Sequence, residues 1–266
     1  MDFVGLVSGG KDSIFNIMCS VCEGHRLVCV ANLRPGDEKE VDSYMYQSVG
    51  CGLVPAIAEC MGVPLHQRVL SGAPKELGLE YCPVDGDEVE DLFLLLKEAK
   101  AKHPSLEAVS VGAILSQYQH NRVKSVCARL GLRVLAYLYQ KDCGALLETM
   151  IACGIDAVLI KTGLPSTEKE ILLTGLGEAA PRLRQLECEY GTNICGEGGE
   201  YETIVLDCPL YSKKLVIDDA RIVTHRERLY SSVYYAVPLR WHLEEKPVSA
   251  CSLGEVIPLI KKLLQA

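Results

Sequence analysis

The chain lacks any apolar run long enough to cross a bilayer. Its first apolar stretch, Phe3–Val7, runs straight into glycine rather than into a signal-peptide core, so the expectation is a cytoplasmic protein without a membrane partner. Dense blocks of lysine or arginine are also lacking, and the net charge is −8. A protein that grips nucleic acid through phosphates presents a basic face, so no direct nucleic-acid binding is expected. The nearest basic group, Arg122, Lys124, Arg129 and Arg133, has the spacing of a solvated helix face. Zinc-ligand spacing is missing as well: Cys19–Cys22 is a lone Cys-x-x-Cys with no second pair and no His-x-x-x-His. The 13 cysteines are odd in number and scattered. Several, such as Cys29, Cys127 and Cys153, sit among apolar neighbours and read as reduced, packed thiols of a cytosolic chain. No internal repeat or low-complexity segment occurs.

What is present is globular in character, with 48% hydrophobic and 23% charged residues over 266 positions, enough for one large domain or two modest ones. The first half alternates strand and helix signals. Strands are predicted at Phe3–Val7, Leu27–Leu33, Leu65–Val69, Ala108–Ile114 and Arg133–Ala136, with helices at Ser13–Glu23, Val49–Met61, Asp87–Lys102 and Gln119–Leu130. In the third helix Val89, Leu92, Phe93, Leu96 and Ala99 mark one apolar face. This alternation implies βαβ crossovers and an α/β fold with a mostly parallel, nucleotide-binding sheet over residues 1–136. After residue 137 the rhythm changes. Helices at Cys143–Cys153 and Ala180–Tyr190, and strands at Ala157–Lys161, Thr203–Leu206, Lys214–Ile217 and Ala220–His225, predict a smaller α+β domain over 137–243. The tail, 244–266, holds one helix candidate at Leu253–Leu264.

Between the first strand and the first helix lies Ser8-Gly9-Gly10-Lys11-Asp12-Ser13. Two glycines let backbone N–H groups approach phosphate oxygens, and the following helix aims its positive end at the same point. Lys11, read as exposed, adds a point charge, and the hydroxyls of Ser8 and Ser13 can donate hydrogen bonds. Gly5, Gly10 and Lys11 fit Gly-x-x-x-x-Gly-Lys, but Asp12 stands where a Walker loop needs a hydroxyl for magnesium, and Gly5 falls within the strand. The plainer reading is a strand-to-helix turn capped by Asp12. The loop resembles the PP-loop of the ATP pyrophosphatase superfamily, which cleaves ATP between its α- and β-phosphates on an adenine nucleotide alpha hydrolase-like fold.

Four further segments narrow the resemblance: Val41–Ser48, Gly86–Leu92, Gly112–Gln119 with Arg122, and Cys195–Thr203. Together with the loop they resemble the diphthine–ammonia ligase (diphthamide synthetase) family, from about Phe3 to Leu243. The resemblance implies ATP and Mg2+ as cofactors, ammonium as nitrogen donor, and elongation factor 2 bearing diphthine as the protein partner. It implies catalytic roles for Lys11, Asp12 and Ser13, and nucleotide contacts from Ser8–Ser13, Ala31, Asn32, Gly112 and Ala113. Substrate contacts are implied at Tyr44, Glu88, Ser116, Tyr118, Gln119, Arg122, Glu197, Gly198, Gly199, Glu200, Tyr201 and Glu202. The magnesium ligands stay unassigned.

The residues themselves leave choices. Carboxylates at Asp87–Asp91 suit any helix's first turn, and Tyr44 and Tyr46 alternating with Met45 also suit a half-buried strand. Glu197, Glu200 and Glu202 crowd negative charge beside Tyr201, an arrangement that costs energy unless cations, donors or protonation relieve it. A site for trimethylammonium or ammonium is one resolution and a solvated acidic loop is the other. A tRNA-modifying PP-loop enzyme of lysidine or thiolation type shares the adenylation chemistry, but paired zinc cysteines or a basic appended domain would mark it. A nucleotide sensor on the same fold would form no AMP.

Overall fold

Strand β1 (Asp2–Leu6) is apolar and buried on both faces, as a central parallel strand must be. It pairs on one side with β2 (Arg26–Arg34), which pairs with β3 (Leu65–Val69). On its other side lies β4 (Leu106–Ser110), followed by β5 (Arg133–Leu135). The sheet is five-stranded and wholly parallel, in the order β3-β2-β1-β4-β5. In this computed structural model residues 1–36, 45–47, 49–165, 169–226, 232–247 and 251–265 are described.

Helices cover both faces. On one face, α3 (Glu88–Lys102) and α4 (Gln117–Leu130) bury Val89, Leu92, Leu95, Leu96, Val123 and Val126 against Val4, Cys29, Ala31 and Val109. Leu95, rather than Phe93, completes the buried face of α3; Phe93 is half-buried, with the Arg129 guanidinium 3.9 Å from its ring centre. On the other face, α1 (Lys11–Cys22) is buried along almost its whole length, and α2 (Val54–Met61) packs beside it after a single tight turn at Cys51–Leu53.

The second half forms an antiparallel sheet, ordered β7-β6-β9-β8, from β6 (Asp156–Thr162), β7 (Tyr201–Asp207), β8 (Lys213–Arg226) and β9 (Val233–Glu245). Helices α5 (Cys143–Ala152), α6 (Leu176–Tyr190) and the tail helix α7 (Leu253–Gln265) join it. Their apolar faces merge with those of α1 and α2 in one core, so the proposed division near residue 137 marks a change of sheet within shared packing. One expectation is corrected. Lys214–Ile217 and Ala220–His225 are one strand, β8, kinked by register shifts on either side of Asp219. Strand β9, unassigned from the sequence, alternates apolar and polar residues from Leu239 to Glu244 and contains Pro238, which lies opposite Ala220 beside that irregularity.

Candidate active site

In a parallel sheet the chain leaves from adjacent strands in opposite directions at one point, and a crevice opens there beyond the strand carboxyl ends. Here that point lies between β1 and β4. The crevice is an open cleft with about 920 Å³ of space around its walls, open solvent at its mouth included. Ser8, Asp12 and Ser13 line it from the β1 side, Gly112 and Ala113 from the β4 side, and Ala31 and Asn32 from β2.

The loop is held by its own short bonds and by the antiparallel sheet. Gly9 has φ of +92°, a left-handed conformation open to glycine, and a Cβ there would lie 2.9 Å from Ile204 Cδ1. Its carbonyl accepts from the Val205 amide at 2.9 Å, and the Lys11 amide donates to Thr203 Oγ1 at 3.0 Å. Ser13 Oγ donates to the Gly10 carbonyl at 2.9 Å, and the Gly10 amide donates to Ser8 Oγ at 3.2 Å. Helix α1 begins at Gly10 with no side-chain cap from the N-cap residue itself; its positive end meets the crevice with Asp12 in the first turn. Gly112 is the tightest point: a Cβ would lie 2.6 Å from Asp12 C and from Ser13 N. Bare backbone at Gly112 thus lets β4 press on the loop. Behind it Asn16, fully buried, donates to Ser110 Oγ and the Leu135 carbonyl, each at 2.7 Å, and accepts from the Tyr137 amide.

Charge is arranged unevenly. Lys11 is 2% exposed, not exposed as its sequence position led us to expect. Its ammonium donates to Asp12 Oδ2 at 2.9 Å and to the Cys195 carbonyl, and lies 4.9 Å from the centre of the Tyr201 ring. Burial favours the neutral amine, but the Asp12 charge beside it prevails and its proton is held more tightly than usual. Asp12 Oδ1 is buried with no hydrogen-bond partner, an acceptor awaiting a cation or donor. Glu197 reaches the same crevice and accepts from the amides of Leu115 (2.8 Å) and Ile114 (3.3 Å). Burial raises its proton affinity above that of an ordinary carboxyl, and the Leu115 amide only partly offsets this.

Comparison with known proteins decides the lineage. The diphthamide synthase N-terminal domain matches residues 1–134, and the diphthamide synthase C-terminal domain matches residues 146–238. The chain belongs to the diphthamide synthase family. A diphthine–ammonia ligase of Danio rerio is 48% identical over 250 residues, covering 92% of this chain and 98% of its own length. The Homo sapiens diphthine–ammonia ligase is 44% identical over 251 residues, covering 92% of this chain and 94% of its own. A Schizosaccharomyces pombe relative of the same name is 47% identical over 226 residues, but only 37% of its length is matched.

The crevice gathers some of the expected residues and disperses others. Gln119 lines it, while Ser116 caps α4 by accepting from the Gln119 amide at 3.2 Å. Arg122 is fully buried and donates to the carbonyls of Glu76, Gly78 and Tyr118, so it clamps the segment before α3 instead of facing the crevice. Tyr118 stacks on its guanidinium, 3.2 Å from the ring centre. Glu88 is buried at the start of α3; Tyr44 lies outside the described residues. The acidic cluster separates. Glu200 closes its own turn by accepting from the Asn193 and Gly198 amides, both at 2.8 Å, with Gly199 left-handed at φ of +81°. Glu202 pairs with Lys161 at 2.9 Å, and Tyr201 spends its ring on Lys11 and its hydroxyl on the Ile194 carbonyl. Of the three carboxylates, Glu197 alone lines the crevice.

Sequence reasoning passed over Tyr46 and Gln47, which line the crevice, and Thr203 and Asn16, which hold the loop from behind. Tyr46 and Thr203 belong to segments already singled out, so the signal was present without a role. Asn16 gave none beyond being a polar residue inside an apolar helix.

Proposed function

We propose that this crevice performs ATP-dependent amidation of diphthine, carried on elongation factor 2, to diphthamide, with ammonium as nitrogen donor. Ammonia only deprotonates a free carboxylic acid, so the carboxylate must first be activated. A diphthine carboxylate oxygen attacks the α-phosphorus of ATP, the bond to the bridging oxygen breaks, and pyrophosphate departs. Ammonia then attacks the acyl carbon, AMP leaves with that carboxylate oxygen, and the nitrogen loses a proton.

The chain's own groups fit these needs. The amides at the start of α1 and the hydroxyls of Ser8 and Ser13 suit the departing pyrophosphate, and Ala31 and Asn32 suit the nucleoside. Lys11 acts as a positioning residue: its buried ammonium ties Asp12 to the Cys195–Tyr201 wall. The unpartnered Asp12 Oδ1 is a hard oxygen donor that fits magnesium; when bound, such an ion would offset phosphate charge beside Asp12 and Glu197. Glu197 is the carboxylate we assign to the cationic side of the reaction, toward ammonium or the trimethylammonium of diphthine.

The observation that carries the reading is the contact of Gly112 with the Asp12–Ser13 backbone at the switch point, which leaves an open cradle. The whole-length match to diphthine–ammonia ligases favours this acceptor over a tRNA. The test is to incubate the chain with ATP, ammonium and diphthine-bearing elongation factor 2. The expected result is AMP formation matched mole for mole by an acceptor mass change of carboxylate to amide. ADP as product, or AMP without change in the acceptor, would overturn the reading.

A further inference from the structure

We infer that Cys29, His66 and His103 form a binding site for one zinc ion, separate from the nucleotide crevice. The three residues are far apart in sequence, and Cys29 alone reads as a small packing residue. The fold brings them together. In the parallel pairing of β2 with β3, Ala31 sits opposite His66, so His66 projects from the same face as Ala31 and Cys29. That face is covered by α3, whose last turn ends at His103. None of the three lines the crevice.

The donor geometry is close to a coordination shell. His66 Nε2 and His103 Nε2 are 3.0 Å apart, and one ring nitrogen of each imidazole lies with Cys29 Sγ in a group whose members are all within 4.8 Å of one another. Zinc bonds of about 2.0–2.3 Å in a tetrahedron put ligands roughly 3.3–3.8 Å apart, so small side-chain shifts suffice. The two Nε2 atoms already face each other at hydrogen-bond distance. Two imidazoles and a thiol are a borderline-soft set, which suits zinc and disfavours magnesium or calcium, and three protein ligands leave a fourth position open. Without an ion, the imidazoles hydrogen-bond to each other, which requires one Nε2 to keep its proton. With one, both Nε2 atoms and the thiolate turn to the metal.

A bound ion would stitch the end of α3 to β2 and β3. The other end of α3 bears Asp87 and Asp91, whose carboxylates hold the amides of Ser71, Gly72, Lys75 and Glu76. The site is thus placed to stabilise the helix that shapes one wall of the crevice.

The test uses the full reduced chain without a histidine tag, dialysed against Zn2+ and, separately, against Co2+ as a spectroscopic probe. The wild type should bind one ion tightly, with a thiolate-to-cobalt charge-transfer band, and should melt at a higher temperature with Zn2+. His103→Ala, at a half-buried helix end, should weaken that ion by more than the roughly 10–100-fold that loss of an outer-sphere partner costs. Cys29→Ser should remove the charge-transfer band, while Cys82→Ser, at an exposed cysteine, should change neither readout. His66→Gln provides a second ligand deletion if Cys29→Ser folds poorly. The inference is overturned if the wild type binds no tight ion, or if His103→Ala and His66→Gln keep the wild-type stoichiometry, affinity and spectrum.

Discussion

Two glycine-bearing segments meet behind the crevice, Ser8–Ser13 and Gly196–Thr203, and they use glycine in opposite ways. In the first, Gly9 and Gly10 strip side chains from a strand-to-helix turn that lines the crevice together with Asp12 and Ser13. In the second, left-handed Gly196 and Gly199 fold the chain back on itself, and Glu200 closes the resulting turn from inside. The sequence signals look alike, a pair of glycines beside charged residues. The difference lies in where the local donors go. Glu200 consumes the amides of its own turn, whereas in the first loop Ser8 Oγ takes the Gly10 amide and Thr203, from the antiparallel sheet, takes that of Lys11. The segments are also joined, through Lys11 to Cys195 and Thr203, so the second braces the first.

The largest expected effect is at the brace between loop and sheet. Gly112→Ala puts a methyl group into the Asp12–Ser13 backbone, which cannot yield without moving the phosphate cradle. Overpacking of this kind costs about 1–3 kcal/mol. Displacing the reacting groups by a fraction of an ångström should lower amidation roughly 100-fold. Steady-state amidation together with urea unfolding checks both, and wild-type turnover in this variant would contradict the close approach.

Lys11→Ala separates positioning from simple surface charge. Removing one partner of a buried ion pair costs about 3 kcal/mol, so this variant should lose stability as well as activity. Urea unfolding at neutral pH reads it; an unchanged midpoint would mean that Lys11 does not brace the second segment.

The acidic residues then sort by position. Glu197→Gln should raise the KM for the cationic substrates about tenfold while leaving ATP affinity near wild type, since one charge leaves the crevice with little change of shape. Glu197 also makes a pH prediction. Its proton is held more tightly in the folded chain than in the unfolded one, so folding takes up a proton above the ordinary carboxyl range. The wild type therefore loses stability as pH rises from about 4.5 through the raised value, and Glu197→Gln does not. Unfolding free energies of the two proteins should diverge in favour of the variant over that window and run parallel above it.

Glu200→Gln should cost about 1–2 kcal/mol of stability through its two turn amides without a specific effect on substrate KM. Glu202→Gln should be the mildest, at about 1 kcal/mol, because it loosens a part-exposed pair with Lys161. A KM effect at Glu202 as large as at Glu197 would restore the acidic cluster as a unit.

The sequence made the parallel half legible because its elements obey two simple periods. Buried runs such as Phe3–Val7 and amphipathic helices such as α3 announce themselves, and the uncapped glycine loop between them marks the switch point. The antiparallel half was less legible. Strand β9 alternates with period two only from Leu239 to Glu244, and Pro238 interrupts the run beside an irregular register. At the site, residue type predicted which segments converge but not which atoms stay free. Lys11 has the appearance of a surface charge until Cys195 and Tyr201, remote in sequence, are packed over it. Arg122 likewise suited a substrate contact until three backbone carbonyls engaged its terminal nitrogens. Long-range partners decide such cases, and they are written in the topology.

The central claim is that the crevice activates a carboxylate by joining it to the α-phosphorus. The most direct test supplies diphthine-bearing elongation factor 2 with heavy oxygen in the diphthine carboxylate, together with ATP and ammonium, and weighs the AMP released. An acyl-adenylate requires one carboxylate oxygen to leave with AMP when ammonia displaces it. The account predicts singly labelled AMP in step with amide formation. Unlabelled AMP beside a fully labelled, demonstrably amidated acceptor would contradict it.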